Sequence, residues 1–371
     1  MATLRRVEIE GYRSIKAVYL DLRALNVLIG SNGAGKSNFV SFFKLLSEMA
    51  QGHLERYVGT SGRAQSVLHF GPKVTPHLEA RLQFENSSGL VGYSVRLVHA
   101  AGDTLVPGSE MLIVERPGAA KPEFIPFPGV SNVNEVLYGE IVREGIPTAG
   151  EIRRLLTGCR VFHFHDTSTT ARVRLFSYLY NNHRLEPDAA NLAPLLYAYR
   201  KTARVVYDRI KSAVRKIVPE FDDFDLEPSR LNPNEILLNW RKRGHDYLFG
   251  PHQLSDGSLR AMAICTLLLQ PEADLPDLIV LDEPELGLHP HALELVAGLI
   301  RAASVRTQMI VATQSQSLLN FFEPSEIVTV ETRDGQSDFR RLDADDLKDW
   351  LEDYTIGELW QRNVLGGGPL P

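Results

Sequence analysis

The chain has 371 residues, of which 44% are hydrophobic, so it can bury a large core and is not a disordered chain. Lys and Arg number 40 against 46 Asp and Glu, and the net charge of -6 argues against a protein that coats nucleic acid with its whole surface. The two cysteines, Cys159 and Cys265, lack the spacing of a disulfide framework or a zinc site.

The first third of the chain has patterns typical of β-strands. Alternation of apolar and polar residues over 4–9, 17–22 and 78–115 predicts antiparallel strands. Leu25–Ile29 is a short apolar strand that runs into glycines, and residues 38–50 then have helical spacing. The order predicts a strand, a glycine-rich loop and a helix, with hairpins after them.

The rest of the chain alternates helical and strand patterns, which is typical of an α/β fold. The predicted elements are a loop at 117–130, a strand at 159–164, a mostly helical region at 168–218, a hairpin at 234–249, a helix at 259–269, a strand at 278–281, a helix at 290–303 and a strand at 308–312. After these, residues 343–354 place their apolar side chains on one helical face, and the glycines at 366–368 predict a frayed end.

Nothing in the sequence predicts a targeting or membrane segment. The N-terminus alternates like a strand and has no apolar core of a signal peptide, and the longest apolar run, Ala261–Leu269, is too short to cross a bilayer. We therefore expect a cytoplasmic protein without membrane contact.

Residues 30–37 read GSNGAGKS, a full match to the phosphate-loop pattern G-x-x-x-x-G-K-[ST], between the strand Leu25–Ile29 and the following helix. Glycines let successive backbone N–H groups point at phosphate oxygens, Lys36 adds a point charge, and the Ser37 hydroxyl suits Mg²⁺. A chance glycine-rich turn is the alternative, and the strand and helix on either side disfavour it. The predicted ATP contacts are Gly30, Ser31, Asn32, Gly33, Ala34, Gly35, Lys36, Ser37 and Asn38.

A buried strand at 278–281 ends in Asp282-Glu283-Pro284-Glu285, where parallel sheets place their ligands. Asp282 is predicted to hold Mg²⁺, and Glu283 to orient and deprotonate the attacking water. An acidic strand end alone is more often a solvated turn. Together with the phosphate loop upstream, however, it favours a nucleotide site.

Three segments together resemble a known family. GSNGAGKS, LSDGS at 254–258 and LIVLDEPELGLHP at 278–290 resemble the Walker A, signature, Walker B and D-loop sequences of ABC-type ATPase heads. The chain is similar in particular to the RecF, SMC and OLD group of bacterial ATPases, including AAA domains linked to phage defence and abortive infection. The Tyr12-Arg13-Ser14 opening is similar too, and the likeness spans residue 4 to about residue 330.

The resemblance implies an α/β fold, an ABC-type P-loop NTPase head with an antiparallel β subdomain and a helical insert. It implies a homodimer in which the signature loop of one subunit caps ATP held by the other, with Ser255, Gly257 and Arg13 among the nucleotide contacts. The switch histidine of the family falls on Gln314, which can donate a hydrogen bond but carries no charge, so catalysis by Glu283, Lys36 and Gln314 is expected to be slow. The expected division is an N-terminal lobe at 1–165, a helical insert at 166–230 and a C-terminal lobe at 231–371.

The position of the family's Q-loop glutamine is occupied by His163-Phe164-His165-Asp166. His165 or Asp166 could sense Mg²⁺ or the γ-phosphate, the segment could be an ordinary strand end, and a nuclease metal site is a third alternative. The residue is left unassigned.

Helical spacing also places Arg200, Arg204, Lys211 and Arg215 in one sector, a row of cations that could contact DNA, although a solvated helix face is the preferred interpretation. Two functions stay open: an ATPase whose closure acts on DNA or a protein partner, in genome maintenance or antiviral defence, and a regulatory module that holds an effector with little hydrolysis. A transporter subunit and a direct nuclease are disfavoured.

Overall fold

The computed structural model describes residues 3–86, 89–114, 123–126 and 149–368. The predicted loop at 117–130 therefore lies mostly outside the described residues. The strands are β1 Thr3–Tyr12, β2 Ile15–Asp21, β3 Leu25–Ile29, β4 His77–Asn86, β5 Gly89–Ala100, β6 Thr104–Val114, β7 Glu123–Pro126, β8 Cys159–Phe162, β9 Ser177–Tyr178, β10 Phe221–Asp225, β11 Glu235–Ile236, β12 Asn239–Lys242, β13 Leu248–Phe249, β14 Leu278–Asp282, β15 Gln308–Thr313, β16 Ile327–Arg333 and β17 Gln336–Arg341. The helices are α1 Lys36–Ala50, α2 Leu54–Thr60, α3 Arg63–Val67, α4 Ala149–Gly158, α5 Leu192–Thr202, α6 Arg204–Ile217, α7 Asp256–Leu269, α8 Pro290–Ser304, α9 Gln316–Leu319 and α10 Ile356–Gln361.

A six-stranded sheet in the order β17-β16-β3-β15-β14-β8 forms the centre of the fold. All its strands except β17 run parallel to their neighbours. Alternate residues of one strand enter different cores: Val27 and Ile29 lie in one apolar cluster and Leu28 in the other. Because both faces are covered, the strands read as continuous apolar runs in the sequence. The carboxyl ends of β3, β15, β14 and β8 meet at one edge.

The second six-stranded sheet, β2-β1-β4-β5-β6-β7, is antiparallel and contains the predicted hairpins. Helix α1 shares one apolar cluster with this sheet and with the central sheet, and its Phe39, Phe42 and Phe43 are fully buried there. Burying an aromatic side chain of this size contributes roughly 2–3 kcal/mol each. The helix that follows the phosphate loop is therefore held firmly along its length.

The region predicted to be helical from residue 168 differs from the prediction. It becomes helical only at Leu192, because the buried Asn191 side chain binds the preceding chain into a loop. Asn191 donates from Nδ2 to the carbonyl oxygens of Asn181 and Arg184, and its Oδ1 accepts from the N–H of Glu186. Such side-chain-to-backbone bonds compete with helix formation.

Two further predictions differ from the structure. The hairpin predicted at 234–249 is confined to β12 and β13, because β11 pairs with β9 instead. The C-terminal glycines are not frayed: the carbonyl oxygen of Gly367 accepts from the Ser31 N–H at 3.1 Å and from the Trp360 indole at 3.0 Å. In the part of the chain that the structure describes, no helix has both the length and the apolar character needed to span a bilayer.

Candidate nucleotide-binding site

The predicted phosphate loop joins β3 to α1 in the expected way. Gly33 and Gly35 have φ values of 80° and 114°, which only glycine adopts without strain. A Cβ atom on Gly35 would lie 1.9 Å from the Ser337 hydroxyl oxygen, so a larger residue does not fit. Asn32, Gly33 and Ser37 are exposed, whereas Ala34 is buried. The loop thus presents backbone N–H groups at the start of a long helix.

Lys36 is buried beneath the loop and is held by it. Its Nζ donates to the carbonyl oxygens of Gly30 at 2.6 Å and Ser31 at 3.1 Å. Burial lowers the pKa of Lys36, and the nearby carboxylates of Glu283, Asp282 and Glu285 act against that effect. The ammonium group therefore lies near the acidic end of β14. From there it can contact a bound phosphate as well as these carboxylates.

The turn between β1 and β2 supports α1 from the side. Asn38 donates to the Ser14 hydroxyl at 2.6 Å, and this hydroxyl is 2.7 Å from that of Ser337 on β17. Arg13 has a left-handed backbone, with φ 49°, and its buried Nε has no partner among the residues the structure describes. These contacts place Arg13 next to the loop, and its contact with nucleotide stays a prediction.

Asp282 ends β14 as a buried carboxylate, and its Oδ1 has no hydrogen-bond partner within the described ranges. A buried unpaired carboxylate oxygen is costly unless a cation or a donor approaches it. Ser37 and Asp282 therefore fit a divalent cation such as Mg²⁺, with oxygen ligands of the kind that ion prefers.

Glu283 follows with φ 45°, an uncommon conformation for a residue with a side chain, and its N–H donates to the carbonyl oxygen of Ala312 at 2.8 Å. Its carboxylate accepts a hydrogen bond from the Gln314 amide nitrogen. Glu285 accepts from the Thr313 hydroxyl at 2.5 Å and from the Gln314 N–H at 3.0 Å. Burial raises the pKa of Glu285, and these two bonds oppose that rise. The loop after β15 thus holds Glu283 through Gln314.

The signature segment begins α7. Ser255 is exposed at its N-cap and accepts from the Ser258 N–H at 3.1 Å. Gly257 is buried against the D-loop: a Cβ atom there would lie 2.1 Å from the carbonyl oxygen of Gly287. The signature helix and the D-loop are therefore in direct backbone contact, with Ser255 facing solvent.

Comparison with known proteins agrees with this geometry. A family profile described as "AAA domain, putative AbiEii toxin, Type IV TA system" matches residues 160–320, and one described as "AAA ATPase domain" matches residues 3–71. No curated protein matches the sequence.

Among solved structures, an Smc head bound to the C-winged helix domain of ScpA aligns with TM-score 0.64 at 16% identity, covering 94% of this chain and 99% of that one. An Smc head from Pyrococcus furiosus, bound to the C-terminal domain of ScpA, gives 0.62 at 15% identity over 95% and 99%. One from Pyrococcus yayanosii gives 0.58 at 12% identity over 95% and 99%. The chain therefore has the fold of an SMC head, an ABC-type P-loop ATPase fold, and two parts of its sequence match AAA ATPase profiles.

Two arginines join the predicted functional segments, and the sequence did not indicate either because no spacing distinguishes them. Arg260 on α7 donates to the carbonyl oxygens of Phe164, His165 and Leu286, so it connects the signature helix to the chain after β8 and to the D-loop. Arg174, which is buried, pairs with Asp256 at 2.9 Å at the start of α7.

We expect Arg260→Lys to lower ATP turnover about tenfold while ATP affinity is retained, the loss that ~1.4 kcal/mol of positioning energy produces. Lysine keeps the charge but cannot donate to three carbonyl groups at once from a planar fork. Steady-state phosphate release against ATP concentration measures both quantities. The matched control is Arg209→Lys on α6, and an equal fall in that variant would contradict the assignment.

The segment His163–Asp166 of the ATPase domain follows β8, next to β14. The His165 Nε2 lies 3.0 Å from the carbonyl oxygen of Asp282 and 3.9 Å from a carboxylate oxygen of Glu283. Asp166 instead accepts from the N–H and hydroxyl of Ser168, and these bonds lower its pKa. His163, which the sequence reasoning did not single out, lies with its Nδ1 3.4 Å from a carboxylate oxygen of Asp282.

The row of cations between residues 200 and 215 is neutralised by neighbouring acidic side chains. Helices α5 and α6 are separated at Ala203, so the row is split between them. Each cation has an acidic partner: Arg200 pairs with Glu227, Arg204 with Asp208, Lys211 with Asp208 and Asp223, and Arg215 with Asp222. The row therefore offers little net positive charge to a phosphate backbone.

Proposed function

We propose that the domain binds and hydrolyses ATP as a homodimer, in which each of two ATP molecules lies between the phosphate loop of one protomer and the signature helix of the other. The exposed Ser255 at the tip of α7 carries this proposal. Within the described residues its hydroxyl bonds only to its own first turn, at Ser258. Phosphate charge is favoured at a helix N-terminus, and a second protomer can supply it.

The chain's own residues divide the chemistry. Lys36 and the loop N–H groups bind the phosphates, and Asp282 with Ser37 holds the divalent cation, which neutralises phosphate charge when bound. Glu283 lies where it can accept a proton from water, and Gln314 orients its carboxylate. Since Gln314 carries no charge, it cannot shuttle a proton, and turnover is slow.

Closure of the dimer acts on a partner. The ion pairs along the helical insert favour a protein over DNA as what that surface contacts. The Smc heads of similar fold are bound to domains of ScpA in their structures, which supports a protein partner docked on such a head. Genome maintenance and antiviral defence both fit an ATP-gated partner of this kind.

A regulatory module with little hydrolysis is the second candidate. Gln314 at the switch position and the toxin–antitoxin description of the profile over residues 160–320 favour it. ATP occupancy alone would then hold the complex together by mass action.

The dimer is tested by mixing two inactive variants. Lys36→Ala keeps the signature helix, and Ser255→Arg keeps the phosphate loop. In a mixed dimer one of the two sites has both intact parts, so an equal mixture is expected to regain roughly a quarter of wild-type turnover, because half of the dimers are mixed and each has one complete site.

Phosphate release by each variant alone and by the mixture gives the result. A mixture of Lys36→Ala with the double variant Lys36→Ala/Ser255→Arg is the control, since no dimer in it has a complete site. If the first mixture shows only the sum of its components, the signature does not act across the dimer and the proposal fails.

A further inference from the structure

Three potential metal ligands converge at the carboxyl end of β14. The ligand atoms of His163, His165 and Asp282 all lie within 4.8 Å of one another. The His163 Nδ1 is 3.4 Å from Asp282 Oδ2, and the two imidazole rings are 5.9 Å apart. A tetrahedral ion about 2.0–2.2 Å from each ligand atom needs ligand atoms roughly 3.3–3.6 Å apart, and His163 Nδ1 and Asp282 Oδ2 already have such a separation.

The burial of Asp282 is a second observation that indicates a cation at the end of β14. Its side chain is 8% exposed, and its Oδ1 has no hydrogen-bond partner among the described residues, although the other oxygen faces His163. Buried carboxylates are normally paired or bound to metal. A cation bound by this carboxylate would offset the cost of burying its charge.

The tautomer of His165 suits a metal ligand. Its Nε2 lies 3.0 Å from the carbonyl oxygen of Asp282, which can only accept, so Nε2 carries the proton and Nδ1 keeps its lone pair. Metal-binding histidines nearly always donate their other ring N–H to a carbonyl or carboxylate in this way. Arg260, which donates to the His165 carbonyl oxygen at 2.9 Å, holds the same residue from its backbone.

The site is open enough for an ion to enter. The exposed fractions of the His163 and His165 side chains are 35% and 37%. Both histidines are therefore accessible from solvent while Asp282 lies below them. An entry path of this kind is a requirement for a metal site.

The two imidazoles add nitrogen ligands, which Mg²⁺ does not prefer, to the oxygen ligands of Ser37 and Asp282. Mg²⁺ takes oxygen ligands and keeps several waters, whereas imidazole nitrogen favours Zn²⁺, Co²⁺, Ni²⁺ and Fe²⁺. We propose that His163 and His165 make the cation site at Asp282 selective for a divalent transition-metal ion over Mg²⁺. This inference deepens the proposed function, because it names the class of cation that the same ATP site takes.

The absorption spectrum of bound Co²⁺ reports which kinds of atom bind the ion. Co²⁺ titrated into the nucleotide-free, wild-type protein is expected to bind at one ion per chain, with a visible absorption spectrum characteristic of nitrogen ligands. Zn²⁺ in equimolar amount is expected to displace it, whereas a roughly 100-fold excess of Mg²⁺ is not, in line with the affinity order of these ions.

The variants His163→Ala and His165→Ala are each expected to weaken Co²⁺ binding at least about tenfold and to leave Mg²⁺ binding unchanged. His183→Ala, which changes an exposed histidine between β9 and α5, is the matched control and should bind Co²⁺ as the wild type does. Circular dichroism confirms that each variant is folded.

Displacement of Co²⁺ by Mg²⁺ at similar concentrations in the wild type would overturn the proposal without any variant. Equal Co²⁺ affinity of the His163, His165 and His183 variants would do the same and leave a simple His163–Asp282 ion pair. Because these measurements need no nucleotide, their failure leaves the dimer intact, and failure of the mixing experiment leaves the metal site intact.

Discussion

Lys36→Ala is expected to weaken ATP binding by about 100-fold or more, equivalent to ~2.7 kcal/mol, because a charge-assisted contact to phosphate contributes about 1.5–3 kcal/mol. The side chain lies buried below the loop, with its ammonium group on two loop carbonyl oxygens and near three carboxylates. Its removal also leaves those carbonyl oxygens without their donor. Calorimetric titration of ATP into the purified variant measures the loss.

Lys44→Ala is the matched control, since Lys44 is exposed two turns further along the same helix. It removes the same charge from the chain and should leave ATP affinity within about threefold of wild type, as surface charges contribute little. A Lys36→Ala protein that keeps full affinity would mean that the nucleotide lies elsewhere.

Glu283→Gln is expected to reduce hydrolysis by about 100-fold or more, the contribution of a positioned general base. The amide is nearly isosteric, and its oxygen can still accept from Gln314, so the geometry of the strand end is kept. ATP binding therefore persists while its consumption stops. The variant should accumulate as an ATP-bound dimer, with twice the mass of the nucleotide-free protein in light scattering.

Glu294→Gln on the exposed face of α8 makes the same chemical change away from the site and should alter neither turnover nor mass. Phosphate release by the wild type and the mass of the Glu283 variant together distinguish the two candidate functions. If wild-type protein releases no phosphate yet the Glu283 variant dimerises with ATP, the regulatory module is correct. A monomeric variant at saturating ATP would contradict both.

Those parts of the fold that depend on local pattern could be predicted from the sequence. The strand Leu25–Ile29, the phosphate loop and α1 follow each other within one short stretch, so the spacing alone specifies them. The buried strand at 278–282 is equally local, because its apolar run ends abruptly in carboxylates. SMC-like architecture followed from these motifs together with the signature.

The failures were all non-local. The loop before Leu192 exists because one buried amide, Asn191, bonds to groups as far back as Asn181, and no periodicity reports such a bond. The pairing of β11 with β9 joins segments more than fifty positions apart. The cations of α5 and α6 looked like a binding surface because their acidic partners lie on other elements.

The candidate site also contains residues that local sequence patterns predict and residues that only the tertiary structure shows. Gly30–Ser37, Asp282 and Glu283 were found from spacing, and the structure places them at one sheet edge. His163 and Arg260 were not found from spacing, because the partners they contact lie roughly a hundred positions away in the sequence. His165 was left unassigned beside Asp166, and only the tertiary structure shows that His165 lies next to Asp282 while Asp166 bonds to Ser168.

The contact between Gly257 and Gly287 has a mechanical consequence. No side chain separates the two backbones, so they are in direct contact. A displacement of the segment after Glu283 would therefore move the N-terminus of α7 directly. In the proposed dimer, the tip of α7 in one protomer faces the nucleotide held by the other protomer. If the proposed dimer forms, hydrolysis at one site would weaken the contact of α7 with the nucleotide at the other site, and the two nucleotides would leave one after the other.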